Sequence, residues 1–463
     1  MNRDPADQAP ATSARAPAHA PAPRERSGGL RYGLLFGPGV LGVTAAGIAL
    51  PEVASALGAS ASSAAWVLTA YALALAVGTA LFGRLADSRG IRASLLSGSL
   101  VLAAGAAICL AAPGLEVLVA GRFVLAAGSG AMISCALALA AATAPAHRAA
   151  AIAGIGATMA VFSACATLMG GVLTQWVTWR LTLVMPALSL VAVPLCLRAA
   201  TARRGSGRSL DVPGAALLTL AATAFLLLIQ SSGLGLTAPV TTALAAALLL
   251  TLLALVRRVR TADASFVPRA LITDAAFLRA AVTGIGVYAG LFAAMYAVPQ
   301  ILARDHGWSV LAIGAWLLPG AVAGGVLSRV AGRLAAGPGA TRLLTATALT
   351  TALALAASLG GTGPAQLVTG ASLGFAGTAI TQVVTTALMS ARVEPALRGG
   401  AMGLLNLCFF LGGGVGSATA GALAPQLTLP AALGAVAVFP LAAGLMALTL
   451  APPRRRPRGV YRR

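Results

Sequence analysis

The chain has 463 residues, of which 58% are hydrophobic and 9% charged, with a mean hydropathy of +0.89. A soluble domain carries about 25% charged residues, so this composition excludes an ordinary water-soluble globule. The 32 basic residues are all Arg against 11 acids. They punctuate long apolar runs instead of gathering on one face, which excludes a nucleic-acid-binding protein.

Residues 1–30 are rich in Ala, Pro and Arg without an apolar stretch, and read as a disordered tail rather than a signal peptide. Crossing a bilayer takes ~20 mostly apolar residues. About fourteen runs satisfy that: 33–51, 66–82, 93–112, 117–141, 151–173, 181–197, 212–232, 240–256, 280–302, 308–328, 343–360, 365–390, 400–423 and 430–450. Each run is continuous in Leu, Ala and Gly, whereas a barrel strand would alternate, so helices are expected. An Arg-rich tail, 451–463, follows the last run.

Arginine placement sets the orientation. With the N-terminus inside, 29 of the 32 Arg fall on the inner side; Arg180 and Arg304 fall outside, and Arg122 lies within the fourth run. Both termini are therefore expected in the cytoplasm, on a multi-pass protein of the cell membrane. The five Cys (Cys109, Cys135, Cys165, Cys196, Cys408) all lie within apolar runs and lack ligand spacing. They read as packing residues, and no metal or cofactor is expected.

The chain also repeats itself. GRLADSRG at 83–90 recurs as GRLAAGPG at 332–339, and LVAGR at 118–122 as LVTGA at 367–371, both at an offset of 249. PAHRAAA at 145–151 recurs as PALRGGA at 395–401, an offset of 250. Each pair occupies equivalent places eight runs apart. The expected fold is all-α: two homologous six-helix bundles, 31–200 and 273–450, with two inserted helices and linkers at 201–272 between them. Parallel repeats of this kind place a substrate site near the bilayer midplane between the halves.

The stretch WVLTAYALALAVGTALFGRLADSRGIR at 66–92 resembles the second helix and following loop of the major facilitator superfamily, and within it the fourteen-helix drug:proton antiporters. The family's loop motif appears as Gly83, Leu85, Ala86, Asp87, Gly90 and Arg92. The resemblance implies a conformational latch there, with a tight turn at Gly83 and Gly90 and with Asp87 capping the next helix and pairing with Arg. In the second half Ala336 replaces the acid. In the fourth run the family's Arg survives as Arg122, while Leu125 and Ala126 stand where Gln and Gly are usual. The fifth run ends ATLMGG: Ala166 and Thr167 replace Gly-Pro, and Gly170 and Gly171 remain as a helix-packing motif ahead of Trp179-Arg180. The first run, LGVTAAGIALP, keeps Thr44 but has Gly42 and Gly47 where the family has Asp and Asn.

No acid lies in the middle of any run. A charge inside a span is costly and points to function, so Arg122 is a candidate for binding anionic groups or tuning a carboxylate. If transport is proton-coupled, Glu52 or Asp87 must take part, with Arg122 responding electrostatically. The candidate cavity lining is Thr44, Tyr71, Arg122, Ser129, Ser163, Tyr288, Tyr296, Gln300, Asn406 and Phe409, with Thr158, Trp316, Gln382 and Phe410 beside them. Such a lining favours neutral or anionic amphiphiles over lipophilic cations. The resemblance implies a secondary transporter, not an enzyme, exporting a small hydrophobic or amphiphilic drug or antibiotic by proton antiport and alternating access. The expected partners are that small molecule, protons and the lipid bilayer; a monomer is expected. The alternative is an importer or uncoupled facilitator of a metabolite. A polytopic membrane enzyme would need clustered His, Asp or Glu, which the three scattered His do not supply.

Overall fold

The computed structural model describes residues 28–450 apart from 144, 201–210, 232–233, 263–264, 268, 335–338, 362 and 393–397. Residues 1–27, the C-terminal tail and Ala336 lie outside the described residues, as does most of the linker at 201–211, while 28–30, placed in the tail by the sequence, already belong to the first helix. Fourteen helices are long and apolar enough to cross a membrane, and no strand occurs among the described residues. They are α1 (Gly28–Ala56), α2 (Ser62–Arg89), α3 (Ile91–Ala111), α4 (Leu115–Ala142), α5 (Gly154–Trp176), α6 (Trp179–Ala200), α7 (Val212–Ile229), α8 (Ala238–Thr261), α9 (Ala275–His306), α10 (Val310–Leu334), α11 (Thr341–Leu359), α12 (Pro364–Met389), α13 (Ala401–Leu423) and α14 (Leu429–Leu448). The chain is an all-α multi-pass membrane protein, since only helices satisfy their own backbone in lipid.

Helix starts follow local chemistry. The Asp211 carboxylate accepts the Gly214 N–H at the head of α7, and Asp274 accepts the Ala276 N–H at the head of α9. Pro51, Pro194, Pro299 and Pro319 sit inside helices, where a missing N–H bends the ladder.

The packing repeats with a step of eight helices. In the first half α1 packs on α5, α2 on α4, and α3 on α4; in the second, α9 packs on α13, α10 on α12, and α11 on α12. Two seams join the halves, α2 against α13 and α5 against α10, and the same step of eight relates them. Small residues let the backbones meet there. A Cβ at Gly171 would lie 2.8 Å from the Val310 carbonyl oxygen in the second seam, and where α1 meets α9, outside both seams, one at Gly47 would lie 2.6 Å from the Met295 carbonyl oxygen. Thr69 Oγ1 and Ser417 Oγ are hydrogen-bonded at 2.8 Å across the first seam, and the Leu311 N–H donates to Gln175 Oε1 at 3.1 Å across the second. With consecutive spans alternating in direction, all these contacts lie toward the arginine-poor end of the bundle.

The two helices between the halves are unlike each other. α7 packs against both α2 and α13, whereas α8 packs on α7 and has one buried residue, Val259.

Candidate functional site

The candidate residues gather into two polar centres, one in each half. In the first, α4 carries Arg122, whose side chain is completely buried. Each of its guanidinium nitrogens finds a backbone carbonyl. Nε donates to Val67 of α2 at 3.2 Å, Nη1 donates to Leu183 of α6 at 2.8 Å, and Nη2 donates to Gly42 of α1. The cation also lies 4.1 Å above the Tyr71 ring centroid. A planar fork suits this role because its donors diverge toward three different helices. Tyr71 is in turn fixed: its hydroxyl donates to the Gly39 carbonyl at 2.9 Å, with Ser129 Oγ 3.3 Å away.

Gly42 is the position where the resembled family has Asp. A Cβ there would fall against Tyr71 Cζ and its hydroxyl oxygen, too close for both to fit. The volume an acid would need is therefore filled by a phenol, and the cation that would face that acid grips the backbone at the same residue. Arg122 thus binds α1, α2 and α6 together, with carbonyls in place of a carboxylate.

The second centre lies in the other half. The Tyr288 hydroxyl of α9 donates to Gln382 Oε1 of α12 at 2.9 Å, and Gln382 Nε2 donates to Asn406 Oδ1 of α13 at 3.1 Å. Tyr288 stacks on Phe409 with centroids 5.1 Å apart and meets Phe410 edge-on at 5.8 Å. Gln382 and Phe410 are partly exposed, and the Asn406 amide nitrogen donates to none of the described residues. Tyr288 also shares a face of α9 with Met295, two helical turns away, and Met295 is where α9 touches Gly47 of α1. The α9 stripe that seals against the first half at Met295 thus carries the aromatic centre at Tyr288.

Other candidates stand apart from both centres. Thr44, Tyr296 and Gln300 are packed inside the bundle, Gln300 Nε2 donating to the Tyr296 carbonyl one turn back on its own helix. Ser163 and Thr158 lie on α5, partly exposed and buried respectively, and Trp316 is exposed on α10. Gly170 and Gly171 bring α5 close to Ala45 of α1 on one side and to Val310 and Leu311 of α10 on the other. Glu52 and Asp87 are both exposed, each in the last two turns of its helix, α1 and α2.

The loop motif differs from the expected geometry. α2 continues through Arg89, so Gly83 is a helical residue, and the turn rests on Gly90 alone at φ +96°. Gly90 is the N-cap of α3 and no side chain caps it, so Asp87 does not perform that task. Leu85 packs against the core, and Arg92 is exposed. The motif residue with the most specific contacts is Arg84, whose Nη2 reaches the Ser265 and Phe266 carbonyls at 3.1 and 3.0 Å. In the sequence Arg84 is one of the 29 inner-side arginines, and nothing around it there marks these contacts.

Two sets of helices that share one packing pattern and meet along paired seams make a two-bundle, multi-pass membrane protein. The Major Facilitator Superfamily model matches residues 34–266 and 280–462, and the chain belongs to that family. It is 33% identical over 190 residues to a lincomycin resistance protein of Streptomyces lincolnensis, covering 39% of this chain and 38% of that one. It is 35% identical over 179 residues to a puromycin resistance protein of Streptomyces alboniger, covering 38% of this chain and 36% of that one. The matched stretch thus spans well under half of each relative's length. Among solved structures it is similar to a POT family transporter in complex with a thioalcohol-conjugated peptide, with a TM-score of 0.66 and 16% identity over 92% of this chain and 96% of that one.

Proposed function

We propose that the chain exports a small hydrophobic or amphiphilic compound, of drug or antibiotic type, out of the cytoplasm across the cell membrane. The observation that carries this reading is the family's two-bundle fold combined with similarity to lincomycin and puromycin resistance proteins. The arginine-rich helix ends and both termini face the cytoplasm in this reading, in keeping with the positive-inside rule. The halves then touch on the outer side, and a substrate would enter from the cytoplasm between them. Alternating access would move the contacts at Gly47, Gly171 and Thr69 apart and close the other end.

The C-terminal centre at Tyr288, Gln382, Asn406 and Phe410 is the binding surface in this reading. It offers the partly exposed Phe410 ring and an amide donor with no partner among the described residues, which suit a neutral or anionic amphiphile; no mid-span acid is present to hold a cation. Protons would drive export through Glu52 or Asp87, which sit near the ends of α1 and α2, two helices gripped by Arg122.

Expression in a drug-sensitive bacterium tests the reading. Tolerance to chemically varied antibiotics, lincosamides and puromycin among them, should rise and should collapse with an uncoupler. Glu52→Gln and Asp87→Asn, made separately, locate the proton step: at least one should lose pH-gradient-driven transport. Accumulation of a compound inside energised cells would instead identify an importer.

A further inference from the structure

The two seams between the halves are related by the repeat but are not equally covered. Along α2–α13, α7 lies in the groove from one end to the other. Ala215 and Leu218 share an apolar cluster with Ala76, Ala80 and Leu407. Further along, Ala222, Leu226 and Ile229 cluster with Leu73, Val415 and Ala418. The related seam, α5–α10, carries exposed Val161, Val322 and Val326 on its flanking helices.

After α8 the chain returns to the first seam through Ser265, Phe266 and Val267, at its arginine-rich end. Phe266 and Val267 are buried in the same cluster as Ala76 of α2 and Leu407 of α13. Arg84 of α2 donates to the Ser265 and Phe266 carbonyls. Asp211, at the head of α7, accepts the Phe266 N–H at 2.7 Å through Oδ2 and takes Arg258 Nε of α8 at 2.5 Å through Oδ1. Partial burial pushes the Asp211 carboxyl up. The hydrogen bonds from Arg258, Phe266 and Gly214 outweigh that and hold it below the usual carboxylate range. This tripeptide is therefore fastened by polar contacts to α2 through Arg84 and to the head of α7 through Asp211, which itself pairs with Arg258 of α8, whereas toward α13 Phe266 and Val267 present apolar surface.

We propose that Ser265–Val267 is a strap across the arginine-rich end of the α2–α13 seam, fastened by Arg84 and Asp211, which limits how far α2 and α13 separate there. The polar fastenings keep the strap on the first half and the inserted hairpin, while its greasy face lets α13 slide but not leave. Opening between the halves is then unequal: the strapped seam acts as the stiff side and α5–α10 as the free side. The role rests on the reading that the halves move, but its test reads the seam and not transport.

Hydrogen exchange on the full-length protein in lipid nanodiscs provides that test. Arg84→Ala should speed amide exchange about tenfold in 265–267, the scale of one lost hydrogen bond to a charged group. The same acceleration should spread to 76–84 of α2 and to 404–410 of α13, while the Thr69 and Ser417 end and the α5–α10 seam stay as they were. Arg84→Lys, whose ammonium can serve the two neighbouring carbonyls, should restore most of the protection. Faster exchange confined to 265–267, or equal in both seams, would overturn the strap. Should Arg84→Ala yield no folded protein, Asp211→Asn frees the segment from the hairpin side; unchanged exchange at 404–410 in that variant would overturn it equally. A protein that exports nothing yet shows the spreading pattern keeps the strap and loses the export reading.

Discussion

Around Arg122 the N-terminal half answers each guanidinium nitrogen with a carbonyl of its own, whereas around Gln382 the C-terminal half leaves the Asn406 amide donor without a partner among the described residues and the Phe410 ring partly exposed. The two bundles share one packing pattern, but the Arg122 centre lies toward the arginine-poor end of its bundle and the Gln382–Asn406 pair toward the arginine-rich end of the other. The first binds three helices of one half to each other and is completely buried. The second spans α9, α12 and α13 with a chain of neutral groups, each able to exchange one partner for another at little cost. A buried charge must be paired to be tolerated, so the cation fixes structure. Neutral amides and rings tolerate hydration, so they are free to bind.

The largest expected effect breaks the N-terminal centre. Arg122→Lys keeps the charge, but one ammonium cannot serve three diverging carbonyls, and a poorly paired buried cation costs about 3 kcal/mol. Arg122→Leu removes the charge entirely. Gly42 and Val67 lie inside helices and keep their ladder donors, so Leu should cost less than Lys. Thermal unfolding in detergent measures both. If Leu proves the more damaging, the charge and not the geometry is what this centre supplies, and the contrast between the halves fails.

A smaller effect is expected at Gly42. Gly42→Ala drives a methyl into the Tyr71 ring, an overpacking cost of about 2 kcal/mol. The double variant with Tyr71→Leu should recover part of it, because the ring is what the methyl strikes. Additive losses in the unfolding measurement would show that Tyr71 is not the filler of the missing acid's place. In the other half, Asn406→Leu should leave unfolding nearly unchanged and lower tolerance to hydrogen-bonding antibiotics more than to purely apolar ones. Equal loss for both kinds of compound would deny the Asn406 amide a role in binding.

The spans and the step of eight helices were legible because apolar length and repeated loop motifs are local signals. Arg122 was legible as unusual, since a charge inside an apolar run needs a reason. Its partners were not: Gly42, Val67 and Leu183 contribute backbone, which no side-chain pattern reveals. Asp87 was read as a cap because Gly83 looked like a turn, yet that glycine fits a helix and α2 simply continues. Arg84 was hidden by its own topology signal. Its contact lies 182 residues away at Phe266, and positive-inside placement already accounted for the charge. Tyr296 and Gln300 show the converse, where polar residues in an apolar run face protein, because hydropathy does not tell one side of a buried helix from another.

The smallest effect sharpens the C-terminal side. Tyr288→Phe removes one hydroxyl and leaves the stack on Phe409 intact. Gln382 Oε1 then loses its donor, worth about 1 kcal/mol for a neutral pair. Because Gln382 is partly exposed, water can replace the phenol, and unfolding should shift by less than that. Binding should respond differently. With the phenol gone, Gln382 is free to turn, and its bond to Asn406 no longer fixes the direction of the Asn406 amide. A widened range of exported compounds with lower resistance to each is the expected outcome, measured as the growth-inhibiting concentration across the antibiotic panel. A Tyr288→Phe protein with the parent's profile would mean that the amide pair is held by α12 and α13 alone, and that Tyr288 contributes only its ring.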